Sequence, residues 1–117
     1  MPADHAIIDL FEIINRRDLD RFNDLLTEDA AFYFPKTQPL LGSDRIIRFF
    51  KILFRQYPKL AFEVQGEIIQ GQKAAVHWTN QGVHKSGAPY ENEGVTILEL
   101  EGDKIRYMSD FFKDTSF

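Results

Sequence analysis

Lys59-Leu60-Ala61-Phe62-Glu63-Val64-Gln65 is the stretch whose reading decides the fold. Leu60, Phe62 and Val64 alternate with Ala61, Glu63 and Gln65, the period of two that belongs to a strand with one buried face. The pattern predicts a strand over 59–69. Gln70-Gly71-Gln72 turns, and 73–84 is the next strand. Ser86-Gly87-Ala88-Pro89 turns again into a strand over 90–101, and Glu101-Gly102-Asp103 turns into a last one over 104–112. Strands joined by such short turns form an antiparallel meander.

Upstream of Lys59 the period is helical. Ile7, Leu10, Phe11 and Ile14 share one helix face over 4–16, with Asp4 as the predicted N-cap, and Asn15-Arg16-Arg17 ends the helix. A short helix near 18–26 carries Leu19, Phe22, Leu25 and Leu26. Ala30–Phe34 is a short strand closed by Pro35, and 36–41 is a loop. A third helix is predicted from Ser43, its N-cap, to about Gln56, because Pro58 bars it from going further. Within 46–54 only Arg48 and Lys51 are polar, so this helix needs cover on most of its girth, from a sheet, with the first helix as a second candidate. Helices first and a meander second make an α+β domain. At 117 residues the chain is read as one domain, 1–117.

Composition narrows the function classes. A net charge of -4 and a pI near 5.3 argue against a nucleic-acid partner. No apolar run approaches the ~18 residues needed to span a membrane. The N-terminal Met-Pro-Ala-Asp-His lacks the basic segment of a signal peptide, so a cytoplasmic protein is expected. There is no Cys, hence no disulfide, no thiolate metal site and no thiol nucleophile. His77 and His84, seven apart on one predicted strand, face opposite sides, so no metal site is expected. No Gly-rich phosphate loop or Gly-x-Ser-x-Gly elbow is present, and no cofactor is expected. Arg45, Arg48, Lys51 and Arg55 trace a basic stripe on the third helix, read as a solvated face. The 11 Phe residues can fill a core or line an apolar cavity.

One residue breaks the strand pattern. Asp110 lies inside the last strand, among Tyr107, Met108, Phe111 and Phe112. Asp is a poor strand former and costly to bury as an anion without a partner. An acid held among apolar groups has a raised pKa, which suits proton transfer. The plainer alternative is an Asp that points to water or ends the strand.

A series of landmarks runs along nearly the whole chain: Asn15-x-x-Asp18-Leu19-Asp20, Leu26-x-x-Asp29-Ala30 leading into Phe34-Pro35, Leu41-Gly42-x-x-x-Ile46 with Phe49-Phe50, His77-Trp78, Gly87-x-x-Tyr90, and Gly102-Asp103-Lys104-Ile105 before Asp110. In order and residues the chain resembles the nuclear-transport-factor-2-like superfamily, and within it the SnoaL-like polyketide cyclase group. The resemblance implies a curved sheet wrapped around a cone-shaped cavity, closed by the helices. In the SnoaL cyclase and in limonene epoxide hydrolase an Asp on the last strand is the general acid, and that position falls on Asp110. Other family positions are not matched. Epoxide hydrolases carry an Arg and an Asp where this chain has His77 and Thr79, and a Tyr and an Asn where it has Ala31 and Tyr33. Ketosteroid isomerases need a Tyr and two Asp residues where it has Leu10, Phe34 and Thr96, so that activity is set aside.

His77 is the predicted proton partner of Asp110, since imidazole titrates near neutral pH. The apolar pattern turns Val76 and Trp78 inward and His77 outward, whereas the family comparison turns His77 inward; the site prediction follows the family. Tyr33 is a candidate polar tip in the pocket, Thr79 a further ligand-binding candidate, and Tyr57 an anchor at a helix end. Phe50, Phe54, Phe62, Leu98, Met108 and Phe112 are candidates for its apolar lining, with core packing as the alternative. The leading function is a pocket for a small apolar organic ligand, with a cofactor-free cyclase, isomerase or hydrolase using Asp110 and His77 as its enzymatic form. A non-catalytic carrier, or a dimerisation module working through the outer sheet face, is the alternative. On the 90–101 strand Thr96, Leu98 and Leu100 are predicted inward and Val95 and Ile97 outward, which points to a homodimer covering that face, with Trp78 or Ile97 in it.

Overall fold

A computed structural model describes residues 2–116. Met1 and Phe117, the ends of the expected domain, lie outside the described residues. Three helices and a six-stranded sheet follow one another as α1 (Pro2–Arg16), a 3₁₀ turn (Leu19–Arg21), α2 (Phe22–Leu25), β1 (Leu26–Tyr33), β2 (Leu40–Leu41), α3 (Ser43–Gln56), β3 (Ala61–Gln70), β4 (Lys73–Val83), β5 (Pro89–Glu101) and β6 (Lys104–Phe112). The strand order is β2-β1-β6-β5-β4-β3.

The meander β3–β6 is antiparallel throughout, as its short turns require. The sheet as a whole is mixed, because β1 runs parallel to β6. No short turn joins those two strands. The chain between them passes through β2, α3 and the rest of the meander, so nothing local forces an antiparallel return. β1 also begins four residues earlier than the predicted strand, and the predicted loop contains the two-residue β2. The helix predicted near 18–26 is a 3₁₀ turn and a single α turn. α1 starts ahead of Asp4, which lies in its first turn, and the N-cap of α3 is Gly42, at φ +99°, rather than Ser43.

The inner face of the sheet packs against the helices. Ile7, Leu10, Phe11 and Ile14 of α1 are buried as their spacing predicts, and α1 lies chiefly over β3. α3 buries Ile46, Ile47 and Phe50 against β1 and the 19–25 segment, while Ile52 is exposed. Its apolar girth is therefore covered on one side only. A Phe cluster fills this end of the core: the Phe50 ring stacks on Phe22 and Phe32, and Phe34 meets Phe49 and Phe112.

Two details aim β6 at the core. Glu99 pairs with Tyr107 and Leu100 with Ile105, so Arg106 is a bulged extra residue. The bulge resets the alternation, and Ile105, Met108, Asp110 and Phe112 all turn to the inside. Opposite Phe112 stands Gly94, where a Cβ would lie 2.5 Å from the Phe111 carbonyl oxygen and 2.8 Å from the Trp78 ring. Gly at this position makes room for the buried indole.

Candidate functional site

Asp110 faces Thr96 across the β5–β6 pair. Thr96 Oγ1 donates to Asp110 Oδ1 at 2.6 Å, and Trp78 Nε1 donates to Thr96 Oγ1 at 2.9 Å. An indole N–H can only donate, so the Thr96 oxygen must accept from it, and its single proton is directed onto Asp110. The polarity of the chain Trp78→Thr96→Asp110 is thereby fixed. Asp110 Oδ1 is an acceptor, and a proton on this carboxyl sits on Oδ2. Desolvation pushes the Asp110 pKa up to about 7, partly offset by the Thr96 hydrogen bond, which favours the anion. No cation meets the carboxyl among the described residues.

Two small compartments adjoin Asp110. One, of about 30 Å³, is bounded by residues that include Tyr57, Phe62, Trp78, Asn80, Tyr90 and Phe112. The other, of about 20 Å³, lies among Leu10, Phe32, Phe50, Thr96 and Met108. Asp110 and Phe62 border both. Each has room for a water or two and not for an organic ring. Larger hollows exist on the surface, such as one of about 540 Å³ lined by Asp9, Arg21, Asp24 and Asp103. They are open grooves, and Arg21 there is already paired with Glu12 and Asp9.

The end of α3 and the segment after it form one wall of the larger compartment. The Lys85 amide donates to the Gln56 carbonyl at 2.7 Å, and the Tyr57 ring packs against His84 and Tyr90. Arg17 donates to the Pro58 and Leu60 carbonyls at 3.1 and 2.7 Å, and its guanidinium lies 3.7 Å from the centre of the Phe54 ring. These contacts hold the Tyr57–Leu60 segment over the compartment.

The predicted site residues divide between the two sides of the sheet. Phe50, Phe62, Met108 and Phe112 stand on the walls with Asp110. Leu98 is buried in the packed core, and Phe54 is sandwiched between Phe50 and Arg17; neither borders a compartment. His77, Thr79 and Tyr33 are not in the pocket. His77 is on the outer face, with Nε2 2.5 Å from Glu93 Oε2. Thr79, on the same face, accepts from Gln65 Nε2 at 3.0 Å, and Tyr33 is exposed with its ring against Tyr107. The correction has a simple cause. β4 alternates without interruption from 73 to 83, so Val76, Trp78 and Asn80 inside put His77 and Thr79 outside. Trp78 is 2% exposed and belongs to the interior rather than to any outer contact.

The family model of the SnoaL-like domain matches residues 7–108. The chain belongs to the SnoaL-like family. No curated protein matches its sequence. Among solved structures, this SnoaL-like domain is similar to a protein from Jannaschia sp. CCS1 described as a SnoaL-like polyketide cyclase, at 20% identity and a TM-score of 0.88 over 96% of this chain and 85% of that one. TerC, co-crystallised with polyporic acid, is 18% identical with a TM-score of 0.87, covering 97% and 92%. A protein of ketosteroid isomerase-like fold from Catenulispora acidiphila, in complex with trimethylamine, is 12% identical with a TM-score of 0.87, covering 95% and 87%. At these identities the likeness is one of fold. No helix among the described residues of the SnoaL-like domain is long and apolar enough to cross a membrane.

Several wall residues escaped the sequence reading as site groups: Trp78, Asn80, Tyr90 and Thr96. A signal for two of them was available. Val76, Trp78 and Asn80 share a face by alternation, and an amide on the same face as two buried apolar residues marks a polar spot inside the core.

Proposed function

We propose that this SnoaL-like domain binds a small, largely apolar organic ligand over Asp110, and that Asp110 donates and recovers a proton in cofactor-free cyclase, isomerase or hydrolase chemistry. One observation carries the reading: a carboxyl in an apolar wall, with no cation beside it among the described residues, whose Oδ1 is committed to Thr96 and whose pKa is pushed up to about 7. Near neutral pH such a group is partly protonated and can give a proton to a developing enolate or alkoxide, then take it back. The polyketide cyclase description of a structural relative favours the cyclase form. His77 has no part in this version, since it stands on the other face of the sheet.

Polyporic acid, bound by TerC, and trimethylamine, bound by the Catenulispora protein, are the first probes. They separate an acidic ring compound from a small amine. Binding of either, followed by the fluorescence of Trp78 on the compartment wall, supports the pocket. For ligands that bind, turnover that survives Asp110→Asn removes the acid role and leaves a carrier. If neither probe nor a panel of cyclic ketones binds, the pocket reading falls.

A second reading rests on the outer face. Phe111 is 60% exposed there, paired with Val95, and the exposed Tyr33 sets its ring against the half-buried Tyr107 near β1. We infer that a homodimer covers this face, with Ile97 in the contact. Sedimentation at micromolar concentration tests it: Phe111→Lys is expected to shift a dimer to monomer, and a wild-type monomer ends the idea.

A further inference from the structure

Asn80 is 7% exposed, and its Oδ1 is sealed from solvent with no hydrogen-bond partner among the described residues. A buried acceptor without a donor is costly and uncommon. Its cross-strand neighbour Asn92, on the same face, shows the contrast. The Asn92 side-chain oxygen accepts from the Glu93 and Asp114 amides at 3.0 and 3.1 Å. Its nitrogen donates to the Tyr90 hydroxyl and the Asp114 carbonyl at 3.0 and 2.8 Å. Asn92 is satisfied by the protein, whereas Asn80 Oδ1 still calls for a donor.

The strand register sets a second polar group beside it. Asn80 pairs with Asn92 and Gly82 with Tyr90, so Asn80 and Tyr90 are diagonal neighbours on one face, roughly 7–8 Å apart at the backbone and within reach of a long side chain. Both border the compartment of about 30 Å³. The Tyr90 hydroxyl accepts from Asn92 and keeps its own proton to donate. Burial holds this phenol above its ordinary value, so the proton stays in place at neutral pH. The two unmet groups are complementary, since Asn80 Oδ1 needs a donor and Tyr90 an acceptor. A hydroxyl is both at once, whereas a carbonyl or ether oxygen only accepts and an ammonium only donates. No Lys, Arg or His borders the space among the described residues, so nothing there compensates an anionic ligand.

We propose that Asn80 Oδ1 and the Tyr90 hydroxyl form a subsite for a hydroxyl group, and that the ligand is a neutral ring compound bearing an alcohol or phenol. The ligand O–H donates to Asn80 Oδ1, and its oxygen accepts from Tyr90. The proposal rests on the pocket reading above and adds a second anchor to it. The Thr96–Asp110 pair lies four residues along β5 from Asn92, roughly 13 Å of strand. The subsite therefore grips the ligand away from the acid, and Asn80 and Tyr90 are specificity-determining residues with no part in proton transfer. About 30 Å³ takes the hydroxyl but not the ring that carries it. Trp78, Asn80, Tyr90 and Asp110 are held in the ladder of the sheet, whereas Leu53, Tyr57 and Leu60 come from α3 and the segment after it. The ring enters where that second group gives way. A water molecule has the same donor and acceptor, so a ligand hydroxyl displaces one there without losing a hydrogen bond.

The test compares cyclohexanol with cyclohexanone, rings of nearly equal size of which only the alcohol can donate. Each is titrated into the full chain and followed by Trp78 fluorescence and by the nitrogen-15 signal of the Asn80 side chain. Wild type is expected to bind the alcohol about tenfold or more tightly, since the ketone leaves Asn80 Oδ1 unmet. In Asn80→Leu the affinity for the alcohol is expected to fall to that for the ketone, which itself does not fall, and the variant should melt no lower than wild type because the orphaned acceptor is gone. Asn80→Ala serves as a second variant in case the branched side chain does not pack, with the same loss of preference expected. Tyr90→Phe is expected to weaken both rings, because both oxygens accept from the phenol. Equal binding of the two by wild type, or a preference that persists without Asn80, overturns the subsite and leaves the pocket reading standing. If neither ring binds and the Asn80 signal stays unmoved, Oδ1 belongs to a trapped water and the subsite falls; the pocket reading is then judged separately, by polyporic acid, trimethylamine and the panel of ketones.

Discussion

Two carboxylates on adjacent strands of this sheet are driven in opposite directions. Asp110, on the inner face of β6, is pushed up to about 7 by burial. Glu93, on the outer face of β5, is held below the usual carboxylate range, first by its hydrogen bond from Lys113 and then by that with His77. In sequence both lie in strands, Asp110 in the apolar run from Tyr107 to Phe112 and Glu93 between Asn92 and Gly94. What separates them is the face of the sheet. The outer face offers Glu93 two basic partners and water. The inner one offers Asp110 a hydroxyl and rings. A strand's alternation thus decides whether an acid is a surface charge or a proton store.

The largest expected break in this contrast is Asp110→Asn. If Asp110 is the acid, turnover falls at least ~100-fold while ligand affinity changes little. The same variant has a stability signature that needs no substrate. Below the unfolded-chain value of 3.8 both states hold the proton. Between 3.8 and about 7 the unfolded chain releases it and the folded chain keeps it, so stability falls as pH rises. Above about 7 the slope from this group is gone. The full difference is of order ~4 kcal/mol at 1.36 kcal/mol per unit. Urea midpoints of wild type and Asp110→Asn are expected to diverge from pH 4 to 7, the variant gaining, and to run parallel above that. Parallel curves throughout would mean that burial does not hold the proton on Asp110, and the inner face would no longer act as a proton store.

Next in size is Thr96→Val, which keeps the shape and removes the hydroxyl. Both the indole N–H and Asp110 Oδ1 lose their partner, at a cost of ~1–3 kcal/mol. The Thr96 bond is the influence that opposes the rise of the Asp110 pKa, so the titration midpoint should move further up. Trp78, the one tryptophan, reports it by fluorescence against pH. An unmoved midpoint would show that Thr96 does not hold the carboxyl.

Much of this architecture was legible in the sequence. The meander, α1 and α3 followed from hydrophobic period, and Asp110 stood out as a carboxylate in an apolar strand. The parallel β1–β6 pair was not legible, because it joins segments far apart in the chain and no turn residue encodes it. Nor was the Arg106 bulge, a register property of two strands taken together. His77 is the instructive miss. Alternation from Val76 and Trp78 put it outside, and that local geometry outranked the position inferred from family resemblance. Fold-level likeness carries over the backbone path more reliably than the role of a side chain. Asn80 was readable from the same alternation, but only the structure shows that its amide lacks a partner while that of Asn92 does not.

The smallest expected effect is the one that sharpens the comparison most. His77→Ala removes the imidazole from Glu93, whose side chain keeps Lys113 at 2.8 Å. An exposed pair of this kind contributes little, because water and salt screen it and two side chains must be ordered to make it. The change in unfolding free energy should stay within ~0.5 kcal/mol. Turnover and ligand affinity should match wild type, since the imidazole and the Asp110 carboxyl lie on opposite sides of the sheet. The paired measurement is what matters. Asp110→Asn and His77→Ala each remove one titratable group, one from the inner face of the sheet and one from the outer. If both abolish turnover, the two faces act together, through a partner subunit or a rearranged sheet, and the inner compartment alone is not the site. If only Asp110→Asn does, the chemistry belongs to the inner face, and His77 and Glu93 are a surface ion pair.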